Sequence, residues 1–301
     1  LVMNINMNNL QIFLKVAEKM NITEASKELF ISQPAVSKAV KNLEESLNIK
    51  LFNRDKKNGL TLTEVGKEIL ILARQLKVIE NKIYQVANRE NKLLSGKVKI
   101  GSFPAASTNI LPEPIALFRS KYPLVNIELA EGTSNQIKEW VKDRTVDIGI
   151  SISPFDPYEF EILYHDYMVA ILPHNHQLSQ EKIIDLEKYH NEIIFCKGGH
   201  ETAISNMFQK NNIEFKENLT VQNVETLITM VKNNLGIGVT SNFTLSSVAH
   251  NLLVKDINPK ITRDIGIIAH SFDEVTPATK EFINIMNQFH KSETFSDQDI
   301  N

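Results

Sequence analysis

Ile31-Ser32-Gln33-Pro34-Ala35-Val36-Ser37-Lys38 opens a helix with two unlike sides. Val36, Val40, Leu43 and Leu47 follow at intervals of four, three and four residues, which lines them up on one apolar face. Gln33, Ser37, Lys38, Lys41 and Asn42 are left on other sides. Pro34 suits a first helical turn, where a missing N–H costs nothing and φ is already set. Just upstream, residues 23–30 read as a short preceding helix, with Thr23 as its cap. Two helices joined by a few residues, the second with polar donors at its N-terminus, is how a helix-turn-helix enters the major groove. A buried helix pair with one wet face has the same periodicity, so faces alone leave both readings open.

The flanking sequence adds to the pattern. A first helix is expected from Asn8 to Lys19, with Leu10, Phe13, Leu14 and Ala17 at helical spacing. Lys50–Arg54 and Leu60–Thr63 flank Asp55-Lys56-Lys57-Asn58-Gly59, and Asn-Gly between two short runs predicts a hairpin. Arg54, Lys56 and Lys57 would sit on this wing, within reach of phosphate or the minor groove.

Ser32-Gln33-Pro34-Ala35-Val36-Ser37-Lys38, Leu43-Glu44, Leu51-Phe52-Asn53-Arg54 and Leu62-Thr63-Glu64-Val65-Gly66 together resemble the N-terminal signature of LysR-type transcriptional regulators. The resemblance runs without a gap across about sixty residues. It implies a winged helix-turn-helix over residues 7–63 and a linker helix over 64–94. A two-lobed α/β effector domain like the periplasmic binding proteins would follow over 95–292. Gln33, Pro34, Ser37 and Lys38 are then expected near the groove, with Ser32 and Arg54 on phosphate. Gln pairs bidentately with adenine and Lys with guanine, whereas Ser serves positioning.

Val65, Ile69, Leu72, Leu76, Ile79, Ile83 and Val86 are spaced 4, 3, 4, 3, 4, 3, a heptad seam, and neither Gly nor Pro interrupts the run between Gly66 and Gly96. A helix of about 30 residues would reach roughly 45 Å. Such a stripe can pack on its own domain. A long helix joining two domains more often pairs with a partner chain, so these seven residues are expected to dimerise the protein.

After Ser95-Gly96 the texture changes to alternating strands and helices. Strands are expected at Val98–Ser102, Val125–Ala130 and Asp147–Ser151, with helices at Ile110–Lys121 and Ser134–Lys142. This alternation implies a parallel sheet whose ligand contacts lie at strand carboxyl ends. Lobe one is expected over about 95–159 and 265–292, and lobe two over about 160–264. By position in the resembled family, Ser102, Thr133 and Ser134 from one lobe and Thr202 and Asn223 from the other are the candidate ligand contacts. Hydroxyls and free amides at helix N-termini favour anionic oxygen, which suggests a small carboxylate or similar metabolite. The same residue types also cap helices with no ligand at all.

Composition sets the remaining bounds. The chain has 301 residues, of which 42% are hydrophobic and 23% charged, as in ordinary globular proteins. Residues 1–95 carry 15 Lys and Arg against 10 Asp and Glu, and the rest 18 against 26. A basic N-terminal portion and an acidic remainder fit a nucleic-acid module joined to something else. No apolar run approaches a membrane span, no secretory signal is evident, and Cys196 is the only cysteine, so the expected location is cytoplasmic. The expected partners are double-stranded promoter DNA, a small effector and further copies of the chain, as homodimer or homotetramer. No cofactor, metal or catalytic residue is expected. The run Cys196-Lys197-Gly198-Gly199-His200 raises a redox reading, weakened by the lack of a second cysteine. A competing reading makes the α/β part an enzyme or transport-type binding protein carrying an appended DNA-binding domain. No P-loop, G-x-S-x-G, H-E-x-x-H or dinucleotide fingerprint supports it.

Overall fold

Asn6 starts the first helix, α1 (Met7–Lys19), by accepting the N–H groups of Asn8 and Asn9. The computed structural model describes residues 5–55, 59–90, 94–197, 201–210, 213 and 218–290, with Arg54, Asp55, Arg89, Glu90 and residues 201–203 described by backbone alone. Helix α2 (Ile22–Leu29) is capped by Asn21, whose side chain accepts from Thr23 and Glu24, so the expected cap at Thr23 is corrected by two residues. Asn ranks above Thr as a cap, and Thr23 falls inside the first turn. Helix α3 (Gln33–Leu47) buries Val36, Ala39, Val40 and Leu43 as its spacing requires. Strands β1 (Phe52–Asp55) and β2 (Gly59–Leu62) pair antiparallel, with Asp55 opposite Gly59, whose φ of +69° favours glycine. One core unites these elements, with Phe13 against Phe52 edge to face at 5.5 Å.

Helix α4 (Glu64–Glu90) has two apolar sides. Leu70 and Ala73 are buried in the core just described, and Ile69 packs against it. Gln11 of α1 also donates to Glu80, at 3.2 Å. The linker helix is therefore anchored to its own domain along one side. Of the heptad seam, Val65, Leu72, Leu76, Ile79, Ile83 and Val86 are exposed, Ile83 by 65%. At its start, a Cβ on Gly66 would lie 2.2 Å from the Leu51 carbonyl oxygen, so only glycine lets the helix meet the wing this closely.

The chain divides into two compact units between Ala87 and Asn88. In the second unit, β3 (Gly96–Ser102) leads to α5 (Pro104–Asn109) and α6 (Pro112–Lys121), where one helix was expected from Ile110. Pro112 opens the second of these. Next come β4 (Val125–Glu131), α7 (Ser134–Lys142) and β5 (Ile148–Ile152). Strand β3 is parallel to both β4 and β5.

Strand β6 (Glu159–Leu172) runs for 14 residues and belongs to both lobes. Beyond it lie β7 (Ile183–Asp185), β8 (Ile193–Cys196), α8 (Glu201–Lys210), β9 (Thr220–Val221) and α9 (Val224–Lys232). The chain continues through β10 (Ile237–Ser241), α10 (Asn242–Ser246), β11 (Leu253–Asn258), β12 (Thr262–Ala269) and α11 (Pro277–His290). The first part of β6, Glu159–Tyr167, pairs antiparallel with β12, which in turn pairs with β5. The rest, Met168–Leu172, pairs with β10 and β11. In this stretch Met168, Ala170 and Leu172 enter one core and Val169 and Ile171 another, because lobe two covers its sheet on both faces.

Candidate nucleic-acid interface and ligand cleft

The recognition helix begins where Ser32 Oγ accepts the Ala35 N–H at 3.4 Å. Gln33, Pro34 and Lys38 are exposed and Ser37 partly so, whereas Val36, Val40 and Leu43 are buried. The structure thus brings four of the expected DNA contacts onto one free surface at a helix N-terminus, where unpaired N–H groups favour phosphate. Ser32 acts first as a cap, with its hydroxyl proton still available to donate. Arg54 stands on β1 opposite Leu60. Its side chain, Lys56 and Lys57 lie outside the described residues.

Glu44 was legible only as part of a motif, yet it fixes the wing to this helix. Its carboxylate is nearly buried and accepts the N–H groups of Leu51 at 2.9 Å and Phe52 at 3.4 Å, and Lys50 Nζ at 3.1 Å. Burial pushes its carboxyl up, but the bonds from Leu51, Lys50 and Phe52 outweigh that and hold it below the ordinary glutamate value. Thr63 completes the joint by donating to the Lys50 carbonyl at 2.7 Å and accepting from Gly66 N–H at 2.9 Å.

Between the two lobes of the second unit lies a cleft of about 410 Å³. Phe103, Thr108, Glu131, Thr133, Ser134 and Gln136 line it from lobe one, and Lys197, Asn223, Glu225, Thr244 and Ser247 from lobe two. Of the expected contacts, the cleft brings together Thr133, Ser134 and Asn223. Ser102 is corrected: it is fully buried at the end of β3 and donates to the Phe103 carbonyl, so it does not line the cleft. Thr202 is in α8, and its side chain lies outside the described residues.

Local folding decides which atoms these residues can offer. Thr133 and Gln136 form a capping box, in which Thr133 Oγ1 accepts from Gln136 N–H and Gln136 Oε1 from Thr133 N–H. Asn223 caps α9, its Oδ1 accepting Thr226 N–H at 2.9 Å. In each case the cap occupies the acceptor, so the Thr133 hydroxyl proton and the amide N–H groups of Gln136 and Asn223 keep hydrogen bonds to give. Ser134 is different, because its hydroxyl joins Ser151 Oγ at 2.6 Å and accepts Ile152 N–H at 3.0 Å. It ties α7 to β5.

Arg263, on β12, also lines the cleft. It is 7% exposed and donates through Nε to Asp166 Oδ2 at 2.8 Å, across the paired strands β6 and β12. Asp166 Oδ1 accepts the N–H groups of Tyr167 at 2.8 Å and Phe243 at 3.1 Å. Its partner is far away in sequence, and nothing local marks an arginine of this kind.

Cys196 is fully buried in β8 among Val221, Val224 and Leu227, and Gly198–His200 lie outside the described residues. Among the described residues no group of His, Cys, Asp and Glu is arranged to hold a metal, and no helix is long and apolar enough to cross a membrane.

Comparison with known proteins agrees with both halves. Residues 7–67 match the family model "Bacterial regulatory helix-turn-helix protein, lysR family", and residues 91–290 match "LysR substrate binding domain". The HTH-type transcriptional regulator YoaU of Bacillus subtilis, itself uncharacterized, is 69% identical over 285 residues, covering 94% of this chain and 98% of that protein. YvbU of the same organism, likewise uncharacterized, is 35% identical over 288 residues, with the same coverage. A full-length OxyR variant from Pseudomonas aeruginosa is similar in fold, with a TM-score of 0.73 at 19% identity over 96% of this chain and 98% of that one.

Proposed function

The chain belongs to the LysR family of DNA-binding transcriptional regulators, and on that premise we propose that its inter-lobe cleft senses a small anionic metabolite, a carboxylate above all. The observation that carries this is the set of donors that helix capping leaves unused on both sides of the cleft. Thr133, Gln136 and Asn223 give their acceptors to helix caps and keep their protons, and the cations Lys197 and Arg263 share the cleft with the carboxylates Glu131 and Glu225. A ligand rich in acceptor oxygens satisfies such a wall, and charge-assisted bonds are the stronger kind.

In this reading Gln33, Pro34, Ser37 and Lys38 meet base edges, while Ser32 and Arg54 hold phosphate. The exposed α4 seam joins copies as a homodimer or homotetramer in the cytoplasm. Ligand acts on the geometry of that assembly, and so on promoter contacts, leaving the recognition helix itself unchanged. Such coupling is a difference in ligand affinity between assembly states, typically about 1–3 kcal/mol.

A thermal-shift screen of the full chain against small carboxylates, matched amides and neutral analogues tests the ligand class. Carboxylates that raise the midpoint where their amides do not support it, by mass action on the folded state. Stabilisation by the neutral analogues alone would refute it.

A further inference from the structure

Phe30 is 94% exposed and sits at φ +55°, the residue that ends α2 and begins the turn into the recognition helix. The turn is well formed: Phe30 N–H bonds the Lys27 carbonyl at 3.3 Å, and Ile31 N–H reaches back to that of Ser26 at 3.2 Å. This is a helix end that favours glycine or asparagine, since left-handed backbone is costly for a bulky side chain. Folding therefore gains neither burial nor backbone ease from an aromatic ring here. Neighbouring apolar residues do have such work. Ala25 is fully buried, and Leu29 packs against the same core.

We propose that Phe30 is a DNA-contacting side chain, whose ring packs on the apolar surface of the duplex beside the bases reached from Gln33. The occupant follows from continuity. Phe30 lies two residues before the cap of the helix whose exposed N-terminal face carries Gln33, Pro34, Ser37 and Lys38. The proposal rests on the DNA binding of the family. In the major groove the apolar element a ring can meet is the thymine methyl, and at its edge deoxyribose. Polar residues beside Phe30 then fix position while the ring excludes water. Burying a methyl group is worth roughly fourfold in an equilibrium constant.

The test uses the full chain and a duplex selected by it from a random-sequence library. Phe30→Asn suits the left-handed backbone and removes the ring, whereas Phe30→Leu keeps an apolar surface. We expect Phe30→Asn to unfold no earlier than the parent and to keep its oligomeric state, yet to bind the selected duplex at least fourfold more weakly, with Phe30→Leu in between. Replacing thymine by deoxyuridine identifies the surface touched. If the parent loses affinity and Phe30→Asn does not, the ring meets a thymine methyl, and if neither responds, it meets deoxyribose. Phe30→Asn binding within twofold of the parent overturns the proposal, as does a loss of oligomeric state, which would assign the ring to a second copy of the chain. A parent that selects no sequence would instead strike at the DNA-binding reading itself.

Discussion

Glu44 accepts the backbone N–H of Leu51 at 2.9 Å, so the recognition helix and the strand that leads into the wing share one carboxylate. Glu44→Ala leaves two nearly buried N–H groups without an acceptor, which should destabilise the DNA-binding unit by about 1–3 kcal/mol. Denaturant titration followed within residues 1–87 measures it, and an unchanged midpoint would mean the wing is held by Thr63 and Gly66 instead.

The same carboxylate sets an acid limit. Its folded pKa lies below the ordinary value of 4.5, so its stabilisation is present above that value and is lost as pH falls through the folded pKa. Stability curves of the parent and of Glu44→Gln should therefore lie apart at neutral pH and converge below about pH 4.5. Parallel curves across this range would remove Glu44 from the account.

Assembly is expected to depend on the exposed seam of α4. Ile79 is 47% exposed, so Ile79→Asp should leave the fold of one chain intact while placing an unpaired charge in the interface between copies. Sedimentation at micromolar concentration should show the dimer lost. Dimers that persist with both DNA-binding units still joined would put the contact elsewhere.

For DNA, Gln33→Ala should relax sequence preference, whereas Arg54→Ala should weaken all duplexes alike and flatten the salt dependence by about one phosphate contact. Titrations on specific and scrambled duplexes at several salt concentrations separate the two. Equal losses on both duplexes for Gln33→Ala would make it a positioning residue.

In the cleft, Asn223→Asp is the sharpest exchange. Aspartate caps α9 as well as asparagine does, so the thermal midpoint should hold, but two donors become a negative charge. Affinity for an anionic ligand should fall roughly ten- to a hundredfold, the worth of a bond to a charged group. Calorimetry with a carboxylate found in the thermal-shift screen reads this, and unchanged affinity would move the ligand away from Asn223.

Much of this molecule was legible because its periods are clean. Val36, Val40 and Leu43 are buried as their spacing requires, and α7 spans Ser134–Lys142 as read. What is less legible depends on a choice between neighbours, a mixed pattern, or a partner distant in sequence. Asn21 and Thr23 are both able caps two residues apart, and only the backbone settles between them. Strand β6 is continuously apolar only in its second half; its first half, Glu159–Asp166, mixes charged residues with exposed Phe160 and Ile162, so no clean period marks where it begins. Ser102 has the right place in the sequence for the cleft, yet the last residue of β3 turns inward. Arg263 gains its role from Asp166, 97 residues earlier, and no local pattern encodes that pair.

The length of β6 also bears on building hybrid regulators. One strand carries residues of both lobes, and a one-residue slip flips every side chain beyond it to the opposite face. A sensing lobe transplanted from a relative with a joint inside Glu159–Leu172, or inside its neighbour Thr262–Ala269, risks turning a core inside out. The two strands have to be inherited as a couple, with the splices made outside both.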